Sequence, residues 1–228
     1  MHEQHIQDLI ARYIKDGDVV SVGSSALGEK FISKLAMALE EENVPIYSVE
    51  FVPTSMRSAE IASSLGLPIA DINEKEIDVA IEFADQVDKE FNFIKRDSKS
   101  FVRDKMIAQS AGTLVLVAEE SAMVERLKGM IPFEVATFGW KRTLNQLDVF
   151  GKARLRLRQD KNPFKTETGH YLIDVDADKV FSYEDLEFDS KNIPGVLETG
   201  LFLGYADKIV LHGKKLRVLS RMPAQGMG

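Results

Sequence analysis

The stretch from Ile77 to Lys105 constrains the fold more than any other part of the chain. It opens on a short apolar run, Val79 to Ile81, with the look of a buried strand. Acids crowd in where that run ends, at Glu82, Asp85 and Asp88. A second apolar run, from Phe91, ends at Lys95. Polar residues follow, and helical spacing begins near Ser98. In an open α/β sheet, ligands sit beyond the carboxyl ends of the strands. The stretch therefore sets carboxylates and one lysine where such a sheet binds its ligand. At about 100° per residue, Asp104 falls between Phe101, Ala108 and Ala111, on the apolar stripe of its helix. A carboxylate there is costly unless it is paired or solvated in a cleft. Asp104 is then either a site carboxylate or a helix-edge acid paired with Arg103 or Lys105.

The rest of the chain frames that stretch. Ile6, Leu9, Ile10, Tyr13 and Ile14 share one helix face, which Asp16-Gly17-Asp18 ends. Val19 to Val22 reads as a strand, and the Gly23-Ser24-Ser25-Ala26-Leu27-Gly28 turn leads into a helix reaching about Glu42. Free N–H groups at such a helix start are a ready anion site. The same two serines also serve as ordinary caps. Pro45 to Val52 is the next expected strand, with Thr54 or Ser55 capping a helix that Gly66 and Pro68 stop. Thr113 to Ala118 is another buried strand. Alternating strands and helices predict a parallel sheet covered by helices.

After about residue 127 the pattern changes. Phe133 to Phe138 alternates, and Ala153 to Arg158 alternates strictly, as a half-exposed antiparallel strand does. Trp140 to Phe150 has helical spacing, Thr168-Gly169 reads as a turn, and Tyr171 to Val175 as the returning strand. Tyr183 to Ile193 reads as a helix or mixed segment. This describes a smaller α+β unit. The tail from Pro223 to Gly228 is expected to fray.

Composition narrows the function. Hydrophobic residues make up 44% of the 228, enough for a sizeable core. A net charge of −7 argues against a nucleic acid or an anionic membrane as partner. The absence of Cys excludes disulfides and thiolate metal sites. His2, His5, His170 and His212 are scattered without metal-ligand spacing. The start Met1-His-Glu-Gln-His lacks the basic and apolar parts of a signal peptide, and no apolar run approaches the roughly 20 residues of a membrane span. A soluble cytoplasmic protein without a cofactor is the expectation.

The segments Glu82-Phe-Ala-Asp85-Gln-Val-Asp88, Asn92-Phe-Ile-Lys95 and Arg103-Asp104-Lys105 resemble the signature of ribose-5-phosphate isomerase, type A. That family reads D-G-A-D-E-(I/V)-D, then N-(L/F)-I-K-G-G-G-(G/A), then a helix with R-E-K or Q-E-K. Pro53-Thr-Ser55, Leu65-Gly-Leu-Pro68, Val115 to Ser121, Phe138-Gly-Trp140 and Pro194 to Phe202 also have family counterparts in the same order. The resemblance implies a Rossmann-like domain, residues 1–127 plus 203–228, and an inserted ferredoxin-like domain, residues 128–202. Lys208 to Leu211 and Leu216 to Leu219 would be the strands that return to the first sheet.

The resemblance implies an aldose–ketose isomerase acting on ribose 5-phosphate through an enediolate. Asp104 matches the family's base and Lys95 its lysine, while Glu82 and Asp85 match the two Asp of D-G-A-D. Gly23, Ser24, Ser25, Arg96 and Ser98 are the candidate substrate-binding residues. The partners implied are a small sugar phosphate and further copies of the chain, as a homodimer or homotetramer. The chain also departs from the pattern. Asp104 is a methylene shorter than Glu, and Glu82 a methylene longer than Asp. Phe83 and Arg96-Asp97-Ser98 stand where the family has glycines. Ala26, Leu27 and Ala122 stand where it has hydroxyls or a lysine, leaving Arg57, Arg96 or Lys99 to supply charge. A non-catalytic sugar-phosphate binder and an isomerase of another sugar phosphate are the alternatives.

Overall fold

The structure is a computed structural model, and it describes residues 3–178 and 180–221. The tail expected to fray lies outside them. The first part of the chain runs α1 (Glu3–Tyr13), β1 (Val19–Val22), α2 (Ala26–Glu41), β2 (Glu50–Pro53), α3 (Met56–Ser64) and β3 (Ile77–Phe83). It continues with β4 (Gln86–Val87), β5 (Phe93–Ile94), α4 (Phe101–Ser110) and β6 (Ala111–Glu119). A six-stranded sheet has the order β13-β12-β6-β3-β1-β2, closed by β12 (Lys208–His212) and β13 (Leu216–Ser220) near the end of the chain. All neighbours pair in parallel except β13, which runs antiparallel to β12.

Successive strand residues face opposite sides of that sheet. Val115 and Val117 pack with Ile6, Ile10, Phe31 and Leu35 of α1 and α2. Leu114 and Leu116 pack with Phe101, Ile107 and Ala108 of α4 on the other side. The chain steps outward from β1 to β2 and then returns to add β3 on the far side of β1. Strand order thus reverses between β1 and β3, and the crevice beyond their carboxyl ends is where such a sheet takes its ligand.

The second part carries β7 (Met130–Val135), α5 (Trp140–Leu147), β8 (Ala153–Leu155), β9 (Tyr171–Asp176), α6 (Tyr183–Lys191) and β10 (Val196–Thr199). Its sheet has the order β10-β7-β9-β8, all antiparallel. A β-α-β-β-α-β run in that order is the ferredoxin-like arrangement. Phe133, Val135, Leu147, Ile173 and Leu186 form its core. The alternation expected from Phe133 breaks at Glu134, which is buried with its apolar neighbours.

A short strand, β11 (Leu201–Phe202), then pairs with β5, which pairs with β4. Gly200 enters this junction. A Cβ there would meet the Lys95 carbonyl at 2.3 Å and the Pro132 ring at 2.5 Å, so only glycine fits. Its N–H donates to the Pro132 carbonyl and its carbonyl accepts from the Lys95 N–H, each at 2.8 Å. Two expected elements are corrected, the first being the strand expected over residues 153–158, which ends at Leu155, with Leu157 in an isolated bridge to Pro163. Residues 46–48 of the Pro45–Val52 run form a turn of 3-10 helix, and the strand begins at Glu50. Both the N–H and the hydroxyl of Ser48 donate to the Pro45 carbonyl, which folds the chain back before it can extend. Among the described residues no helix is long and apolar enough to cross a membrane.

Candidate active site

Four elements meet at the crevice. The chain leaves β1 at Gly23-Ser24, Glu82 lies near the end of β3, Lys95 follows β5, and Asp104 sits in the first turn of α4. Ser100 caps α4 by accepting from the Arg103 N–H, which fixes the turn that carries Asp104. The Lys95 ammonium donates to Glu82 Oε2 and to Asp104 Oδ2, both at 2.6 Å. Lys95 and Glu82 are each 1% exposed and Asp104 is 0% exposed. The hydroxyl of Ser98 donates to Asp104 Oδ2 at 2.5 Å, and that of Ser24 donates to Oδ1 at 3.3 Å. The Lys99 N–H donates to Ser24 Oγ at 3.0 Å, tying the loop after Lys95 to the turn after β1. Gly23 makes the room: a Cβ there would lie 2.4–2.6 Å from the Glu82 carboxylate.

The charges do not balance. One ammonium faces two carboxylates away from water, where an unpaired charge is expensive. Burial pushes the Glu82 carboxyl up to about 7; Lys95 pulls it down and Asp104 adds to the rise. Burial also pushes Lys95 down, but Asp104 and Glu82 outweigh it and hold the ammonium above the usual lysine range. Glu82 Oε1 is buried and has no hydrogen-bond partner. A group whose carboxyl titrates near neutrality, with an unused oxygen, is suited to passing a proton to or from a ligand hydroxyl.

The other candidates lie outside this cluster. Asp85 is exposed, and its Oδ2 accepts from the Arg96 N–H at 2.6 Å. It lines a cavity of about 320 Å³ beside the cluster, with Leu27, Phe83, Glu119, Ala122 and His212. Ser25 caps α2, accepting from the Gly28 N–H at 3.1 Å. Arg96 points away: its guanidinium donates to the carbonyls of Met130 and Lys128 at 2.9 and 2.8 Å. Its backbone stays by the site, but its charge braces the start of β7. Arg57 is engaged on the surface with Glu60 at 3.1 Å. Neither helix neighbour pairs with Asp104, since Arg103 bonds Glu167 and Lys105 bonds Glu187 and Glu198.

The chain as a whole has known relatives. The profile of the family described as Ribose 5-phosphate isomerase A (phosphoriboisomerase A) matches residues 50–215. The chain belongs to this family. Ribose-5-phosphate isomerase A 2 of Oceanobacillus iheyensis is 32% identical over 214 residues, covering 92% of this chain and 94% of its own. Ribose-5-phosphate isomerase A of Archaeoglobus fulgidus is 35% identical over 201 residues, covering 85% and 87%. A D-ribose-5-phosphate isomerase solved in complex with phospho-erythronic acid superposes with a TM-score of 0.86 at 29% identity, covering 97% of this chain and 100% of that one. Ribose 5-phosphate isomerase A of Methanocaldococcus jannaschii superposes at 0.85 and 26% identity, covering 96% and 100%.

Two further groups of this family member escaped the sequence reading. Glu134 reaches from β7 to the start of α4, where it accepts from the Val102 N–H at 3.1 Å and from Ser100 Oγ. Thr166, Thr168 and His170 complete its shell. Burial pushes its carboxyl up, and the bonds from Thr168, His170, Val102 and Thr166 more than reverse that and hold it below the usual range. A lone acid inside the apolar run Ile131 to Val135 was the available signal. Asp97 is the second: its Oδ2 accepts from the Ala26 N–H at 3.2 Å, at the start of α2.

Proposed function

We propose that the chain interconverts ribose 5-phosphate and ribulose 5-phosphate through an enediolate. The observation that carries this reading is the buried Asp104–Lys95–Glu82 cluster at the reversal of strand order. In this reading Asp104 removes the proton from C2 of the open-chain aldose and returns it to C1. Lys95 lies where the oxyanion develops, and charge stabilisation of this kind is worth a few kcal/mol. Glu82 moves the hydroxyl proton between O2 and O1, its unused Oε1 accepting a sugar hydroxyl. Asp85 stands on the adjoining wall to help open the sugar ring. Gly23, Ser24 and Ser98 shape the floor under the sugar, and Ser25 and the Arg96 backbone hold that floor in place. Asp104 is wholly buried, with the hydroxyls of Ser98 and Ser24 on its carboxylate, so the sugar reaches it only when this packing opens.

The same reading takes residues 1–127 plus 203–228 and residues 128–202 as two domains. It also takes the chain as a cytoplasmic homodimer or homotetramer. Exposed Phe138, Phe181 and Phe188 on the smaller unit offer apolar surface for assembly. A monomer mass by light scattering would remove the assembly from the reading.

The test is incubation with ribose 5-phosphate in deuterated water, beside a panel of other sugar phosphates. Deuterium at C1 or C2 is expected with ribose 5-phosphate. Incorporation with another sugar phosphate only would keep the chemistry and change the substrate. No incorporation with any would leave a non-catalytic binder.

A further inference from the structure

Helix α2, 16 residues long, begins at the carboxyl end of β1, so its first turn faces the crevice; there Ser25 Oγ accepts the Gly28 N–H. Such a terminus attracts an anion. Two observations bear on what arrives there. Glu82, 1% exposed, holds its unpartnered Oε1 over Gly23 of the same turn, so the site is incomplete without a ligand hydroxyl. The anion position itself is already taken, because the Ala26 N–H donates to Asp97 Oδ2. The neighbouring segment keeps Asp97 there. Ser98 bonds Asp104, and the Lys99 N–H bonds Ser24. The cavity beside the turn brings further acids. Among the described residues it is lined by Leu27, Phe83 and Ala122, with the acids Asp85 and Glu119 and with His212, and by no lysine or arginine.

We propose that Asp97 is a specificity-determining residue whose carboxylate occupies the anion seat of α2 and competes there with the phosphoryl end of the substrate. The sugar hydroxyls reach Glu82 at one end of the crevice. A phosphate at the start of α2 must displace Asp97 to gain the Ala26 N–H, beside a cavity that carries Asp85 and Glu119. The site therefore binds phosphate esters more weakly than its backbone geometry allows. This rests on the isomerase reading only for the direction in which the sugar lies.

Phospho-erythronic acid and erythronic acid serve as unreactive probes, compared by calorimetry on the full chain and on Asp97→Ala and Asp97→Asn. Asp97→Ala should tighten the phosphorylated acid by about tenfold, the scale of one hydrogen bond to a charged group. Asp97→Asn, which keeps an acceptor oxygen but not the charge, should tighten it less. Erythronic acid should shift by less than about twofold in both, because it lacks the phosphoryl group that competes for the seat. With ribose 5-phosphate as substrate, KM should fall in the same order. An unchanged affinity for the phosphorylated acid in Asp97→Ala overturns the proposal, as does an equal gain for both acids. Failure of the isomerase reading shows separately, as absent deuterium exchange in the unchanged protein, and the calorimetric comparison still decides the role of Asp97.

Discussion

Lys95 and Lys105 make the same first contacts and end in opposite states. Each ammonium lies 2.6 Å from two carboxylates, Glu82 and Asp104 for one, Glu187 and Glu198 for the other. Both are buried. Around Lys105 the accounts close. Lys191 joins as a second cation to both glutamates. The Thr199 hydroxyl donates to Glu187 and the Thr199 N–H to Glu198, while the rings of Phe202 and Tyr205 lie 5.2 and 5.8 Å from the ammonium. Two cations meet two anions, and every carboxylate oxygen has a donor. Around Lys95 one cation meets two anions, and Glu82 Oε1 has none. The first group ties α4 to the smaller sheet. The second stays one proton and one hydrogen bond short of completion, which is the condition a substrate relieves.

The comparison breaks most sharply at Asp104. Asp104→Asn should cut deuterium exchange by about 10³-fold or more, near the upper part of what a positioned base supplies. Exchange that survives this change removes Asp104 as the base. Next come the two lysines themselves. Lys95→Met should lower kcat by about 10²- to 10³-fold. Lys105→Met should cost about 3–5 kcal/mol in denaturant unfolding, as breaking a buried pair does. It should leave kcat/KM of the folded fraction within a few-fold of the parent. A Lys105→Met protein with parental stability, or one as inactive as Lys95→Met, erases the distinction.

The smallest and most diagnostic effect is in pH. Glu82 is held at about 7 in the fold against an ordinary 4.5. The folded state keeps that proton more tightly, so the stabilising contribution is full below about 4.5 and is lost as pH rises through about 7. Relative to Glu82→Gln, the parent should lose roughly 3 kcal/mol across that window. The kcat/KM profile should show a limb near 7 that Glu82→Gln removes. A limb that persists in the variant belongs to another group.

The sequence carried the frame of this site more legibly than its wiring. Asp104 stood out because a carboxylate on an apolar helix stripe demands a partner, and the stripe is a local, periodic signal. Val19–Val22 and Thr113–Ala118 were equally plain, since strands buried on both faces read as unbroken apolar runs. The partner of Asp104 was not plain from spacing alone. Arg103 and Lys105 are its neighbours in the chain, but both turn away from it to Glu167 and Glu187 of the smaller unit. Arg96 misled for the same reason. Its carbonyl acceptors, Lys128 and Met130, come from more than thirty residues on. The strands β4, β5 and β11, two residues each, have no period to read, and Gly200 is what lets the chain pass close to Lys95 on its way into β11.

The stitch at Gly200 also sets a timetable. The backbone group that fixes Lys95 is made more than a hundred residues after it. The sheet under it waits longer still, because β6 pairs with β12, at residues 208–212. Contacts of such long sequence separation form late and slowly. On the ribosome, most of the chain must emerge before the buried charges of the crevice acquire the shelter that holds them together. Until then Lys95, Glu82 and Asp104 are hydrated side chains, without the burial that sets one ammonium against two carboxylates.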